Sequence, residues 1–111
     1  MPQSDHWAVP YVVETALAID PASVLDVGVG MGQFGLHFRQ ALDIARGRLT
    51  KPEWTLRLDG VEIFEAYRNP VWDYCYDRVT MADARSHLAN LAEHYDLILI
   101  CDVLEHFERA D

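Results

Sequence analysis

Residues 24–35, VLDVGVGMGQFG, constrain this chain more than any other segment, because a short apolar stretch carrying Asp26 breaks there into Gly28, Gly30 and Gly32. A buried strand turning tightly into a helix has this pattern: missing side chains permit unusual backbone angles and let amides and a helix N-terminus approach a ligand. The run therefore reads as a nucleotide-type binding turn. Gly30, Gly32 and Gly35 also satisfy GxGxxG, the dinucleotide fingerprint, which alone is weak evidence. Counted instead from Asp26 the run is DxGxGxG. This second count fits the strand better, because the first leaves a charge in mid-strand without explanation. It predicts Asp26 at the strand's end, facing the crevice and accepting hydrogen bonds from a ligand or from the amides of the turn.

The rest of the chain alternates helix-like and strand-like segments. Pro10 to Ile19 carries Val12, Val13, Ala16, Leu17 and Ile19 at helical spacing and stops at Asp20 and Pro21. Val24 to Val27 is the first strand. A helix over Gly32 to Arg46 is stopped by Gly47. Thr55 to Ile63 is the second strand despite Gly60, and Arg78 to Met81 a short third. Residues 64–76 stay ambiguous because Pro70 interrupts them. Ser86 to Glu93 reads as a helix, and the run LILICDVL after Asp96 as a strand buried on both faces. Such alternation predicts a parallel α/β sheet with right-handed crossovers.

Composition narrows the partners. At 111 residues, with 50 % hydrophobic and 24 % charged residues, the chain is one globular domain at most. Its formal net charge of −9 argues against nucleic acid and anionic membranes, since affinity for phosphates comes from Lys and Arg. Cys75 and Cys101 lack a CxxC spacing and read as inert thiols. No basic-apolar leader and no apolar run of about 18 residues is present, so a cytoplasmic, non-membrane protein is expected.

Four segments, in order, resemble the class I S-adenosylmethionine-dependent methyltransferases. VLDVGVGMG is similar to that family's first motif. GVEIFEAY, from Gly60, resembles its second-strand end, where Glu62 would bind both ribose hydroxyls and Ile63 would follow at the cofactor. MADA, from Met81, resembles the third-strand end, with Asp83 near the adenine amino group and Ala84 leaving room beside the ring. YDLILICDVLEHF, from Tyr95, resembles the fourth strand and its loop, with Asp102 nearest the sulfonium and substrate. The resemblance implies a Rossmann-like three-layer sheet of order 3-2-1-4. It also implies S-adenosylmethionine as cofactor, bound through Asp26, Gly28, Gly30, Gly32, Glu62, Ile63, Asp83, Ala84 and Asp102, and a small-molecule methyl acceptor.

Two departures accompany it. Gly32 to Glu62 exceeds the usual interval of about 20 residues, and Arg48 to Trp54 reads as a surface insertion. The family's sheet continues past a fourth strand, so the expectation is a domain over residues 1–111 truncated after that strand. Leu97 to Cys101 would then be an apolar edge open to self-association.

Asp102, Glu105 and His106 form DxxEH, which resembles the ExxEH of small-RNA terminal 2′-O-methyltransferases, where carboxylates and imidazoles hold a divalent metal. The same string resembles metal-free small-molecule methyltransferases, and the reading adopted has no metal, with Asp102 and His106 as candidate catalytic residues and His106 as a general base. Two other classes stay open: a nicotinamide-dependent oxidoreductase using Gly30, Gly32 and Gly35, and a catalytically silent chain that associates through its edge strand.

Overall fold

The computed structural model describes residues 8–100. Four parallel strands, β1 (Ser23–Val27), β2 (Arg57–Glu62), β3 (Arg78–Met81) and β4 (Leu97–Leu99), form one sheet of order β3-β2-β1-β4. Helices α1 (Ala8–Ile19), α2 (Gln33–Leu42) and α3 (Pro70–Cys75) pack on one face, α2 and α3 as crossovers and α1 ahead of β1, and α4 (Ala84–Ala89) packs on the other. This is the expected Rossmann-like α/β arrangement, and the strand order is the expected one. Both faces of β1 are covered, which is why four of its five residues are buried.

Alternation along β1 sends Val24 and Asp26 to one face, Leu25 and Val27 to the other. The first face holds the larger core, with Val12 and Ala16 of α1, Phe34, Phe38 and Leu42 of α2, Leu58 of β2, and Trp72 and Tyr76. The second holds a smaller cluster of Leu25, Val27, Val61, Ala84 and Tyr95. In register, Asp26 stands opposite Gly60 of β2 and Leu99 of β4.

Several boundaries differ from the sequence expectation, each for a local reason. α2 ends at Leu42, and the helical run continues only as a 3-10 turn, Ile44–Arg46, to Gly47 at φ 92°. The break occurs where the fully buried Asp43 turns inward to accept from Arg39 and Arg48 and from the Thr55 and Leu56 amides. These bonds dock the start of the inserted segment, which carries a 3-10 turn, Lys51–Glu53, closed by a reciprocal Thr50–Glu53 capping box. Pro70, read as an interruption, instead begins α3 at its first position with Asn69 as N-cap, accepting from the Val71 amide at 2.8 Å. α4 begins at Ala84, because Asp83 caps it, and ends at Ala89 rather than Glu93.

Candidate functional site at the carboxyl ends of β1 and β2

Parallel α/β sheets bind ligands in the crevice outside the carboxyl ends of their strands, where the crossovers diverge. In this sheet β1 is flanked by β2 and β4, and the turn that follows it, Gly28 to Gly32, sits at that end. Gly28, Gly30 and Gly32 all have positive φ, at 87°, 58° and 90°. A side chain is disfavoured at each of these angles. At Gly32 a Cβ would also lie 2.8 Å from Val71 Cγ1, so α3 closes against the turn.

Glu62, the last residue of β2, is buried and ties the two strand ends together. One carboxylate oxygen accepts the Gly30 amide at 2.7 Å, and the other accepts the Ile63 and Phe64 amides, both at 3.1 Å. Carboxylates offer roughly four acceptor sites, so about one remains for a ligand. Ile63 and Phe64 are 57 % and 49 % exposed, and Met31 in the turn is 42 % exposed, so apolar side chains are presented at these strand ends. Phe64 is held by an edge-on contact with Tyr67 at 5.5 Å between ring centroids.

Asp26 departs from its expected orientation. It is 2 % exposed and accepts the Tyr76 hydroxyl at 2.6 Å, beneath the turn rather than in the crevice. Its charge in the strand, unexplained from the sequence, thus has an internal partner. Burial and the neighbouring Asp26 carboxylate push the Tyr76 hydroxyl well above the ordinary tyrosine range, so it remains a donor. The turn has further side-chain supports that sequence reasoning missed. Trp72 donates its indole N–H to the Gly30 carbonyl at 2.9 Å, and Asn69 reaches the Met31 carbonyl at 3.3 Å. All three supports come from residues 69–76, the segment whose Pro70 obscured it.

Asp83 is exposed and caps α4, accepting the Arg85 amide at 3.0 Å. Ala84 belongs to the smaller core cluster beside Leu25, Val27 and Val61. Asp102, Glu105 and His106 lie outside the described residues, as does Cys101. Among the described residues no group of three or more His, Cys, Asp or Glu is arranged to hold a metal ion. Nor is any described helix long and apolar enough to cross a membrane.

The amides of the turn are largely spent. Gly28 and Val29 donate to Val61 O, Gly30 to Glu62, and Gly32 to Val29 O. A pyrophosphate needs such amides free. Of the three glycines of the GxGxxG count, Gly30 and Gly32 therefore have internal acceptors for their N–H groups. Comparisons with protein-family models, curated proteins and solved structures find no match to this chain.

Proposed function

We propose that this chain is the donor-binding portion of an S-adenosylmethionine-dependent methyltransferase, moving a methyl group to a small-molecule acceptor in a soluble, cytoplasmic setting. The observation that carries this reading is the Glu62 carboxylate, at the carboxyl end of β2 beside a glycine turn most of whose amides are already satisfied. Such a site suits a ligand with a diol and no phosphate. The nicotinamide alternative would have to do without the Gly30 and Gly32 amides of its fingerprint, which are taken.

The residues fit the donor as follows. Glu62 would accept from its ribose, Ile63, Phe64 and Met31 would cover its apolar heterocycle, and the Gly28–Gly32 turn would run beneath its amino-acid end. Asp83, Asp102 and His106 keep the roles the family resemblance gives them. The donor supplies an activated methyl group on a sulfonium, so the protein's part is to orient the reactants and exclude water.

Titration calorimetry with S-adenosylhomocysteine tests the reading, with NADH as comparison and circular dichroism confirming the fold of each variant. Saturable heat with the first ligand alone is expected, weakened by about tenfold or more in Glu62→Ala, which loses a charged acceptor. Absence of heat with the wild-type chain, or unchanged affinity in that variant, overturns it.

A further inference from the structure

Asp26, Gly35 and Gly60 each belong to a segment that the sequence ties to ligand binding, yet all three converge on one side chain outside those segments. Tyr76 is 4 % exposed and lies between α2 and β2. A Cβ on Gly35 would overlap its ring, lying 2.7 Å from Cζ and 2.9 Å from the hydroxyl oxygen. A Cβ on Gly60 would stand 3.2 and 3.3 Å from the other edge of the ring and would collide with Val29 Cγ2. The hydroxyl donates to Asp26 in β1 at 2.6 Å, and its oxygen lies against Gly35 in the first turn of α2. Strand, helix start and neighbouring strand are thus keyed to one phenol.

From this geometry, and resting on the donor-binding reading above, we infer that Tyr76 is the positioning residue of the site. Its hydroxyl fixes the distance between β1 and the N-terminus of α2, and so the shape of the Gly28–Gly32 turn on which the ligand lies. Asp26 acts through Tyr76 and does not touch the ligand. Gly35 serves the close approach of the ring instead of an anion. The turn emerges from β1 two residues after Asp26 and enters α2 three residues before Gly35, so one phenol, bonded to Asp26 and packed on Gly35, spans its two ends. Shape held in advance removes an ordering cost from binding.

Two variants separate this inference from direct recognition by Asp26. Tyr76→Phe keeps the ring and removes the oxygen. Asp26→Asn keeps an acceptor for the hydroxyl and removes the charge. The first is expected to weaken S-adenosylhomocysteine by about tenfold and the second by less than about threefold, since one hydrogen bond to a charged group is at stake in the first only. Amide exchange followed by NMR without ligand gives a second readout: Gly32 and Gly30 lose protection in Tyr76→Phe, while Val24 and Leu58 in the sheet keep theirs. Leu88→Ala, on the opposite face, controls for loss of stability alone and is expected to move neither quantity.

Greater loss of affinity in Asp26→Asn than in Tyr76→Phe would overturn the inference, as would unchanged Gly30 and Gly32 exchange in Tyr76→Phe. If the wild-type chain binds no S-adenosylhomocysteine, the donor reading fails by itself, and the exchange measurement still decides whether Tyr76 sets the turn. Should Tyr76→Phe not fold, Gly35→Ala supplies the same displacement from the helix side, and intact Gly30 protection there would count against the inference.

Discussion

The indole N–H of Trp72 donates to the carbonyl of Gly30 at 2.9 Å, across a separation of 42 residues in the chain. The amide of the same glycine is taken by Glu62. Gly30 is therefore gripped at both polar atoms by side chains from β2 and α3, on a residue whose φ of 58° leaves it few alternatives. Trp72 is 1 % exposed, so neither end of its bond has water to fall back on.

Trp72→Phe is accordingly expected to leave the Gly30 carbonyl without its donor and a gap where the indole was. The cost should be about 2–4 kcal/mol, combining an unmet buried acceptor with lost packing. Urea unfolding followed by far-ultraviolet circular dichroism measures it, and a loss below about 1 kcal/mol would show that water or a shifted neighbour takes over the bond.

Acid should destabilise the fold in part through Asp43. Burial raises its carboxyl, but hydrogen bonds from Arg48, the Thr55 amide, Arg39 and the Leu56 amide together outweigh burial and hold it below the ordinary aspartate value. A lowered folded-state pKa gives stability that is present above the unfolded value, near 3.9, and lost as pH falls through the folded one. The urea midpoint should therefore drop below about pH 4, more steeply in the wild type than in Asp43→Asn. Removing the acceptors altogether, in Asp43→Ala, should cost about 3–5 kcal/mol at neutral pH by leaving Arg39 buried without this partner.

At the alkaline end the corresponding group is Tyr95. Burial, then the hydrogen bond to Asp59 at 2.6 Å and the charge of that carboxylate, push its hydroxyl up to about 12. A raised folded-state pKa gives stability that is complete below the unfolded value, near 10, and disappears as pH rises through about 12. Phenolate absorbance during a pH titration should show two late-titrating tyrosines, Tyr76 and Tyr95, of which Tyr95→Phe removes the one near 12. Equal titration curves for the two proteins would contradict the assignment.

Among the described residues β4 is hydrogen-bonded to β1 alone, and Ile98 on it is 41 % exposed. Unpaired apolar strand edges recruit further strands. The 111-residue chain is expected to self-associate at micromolar concentration, and Ile98→Lys to reduce that association, as judged by light scattering. A monodisperse wild-type monomer would remove the edge-pairing expectation.

Hydrophobic pattern made the sheet legible. Arg78 to Met81 coincides with β3, and the strand order follows from the family likeness of the motifs. Pattern failed where the deciding partner was distant. Asp26 looked like a ligand group because nothing near it in the chain could hold its charge; Tyr76, its donor, comes 50 residues later. Pro70 was read for what it breaks, whereas after Asn69 it pre-sets the first turn of a helix. Glu62 was placed at the strand end from its motif, but its three amide partners depend on how two loops meet, which no local spacing encodes.

The two-sided grip on Gly30 bears on what could be transplanted. Copying VLDVGVGMG into another α/β protein would carry the glycines without the atoms that bend them. The smallest portable unit runs from Val24 to Tyr76, since Glu62, Asn69, Trp72 and Tyr76 act together as the mould in which the turn is cast.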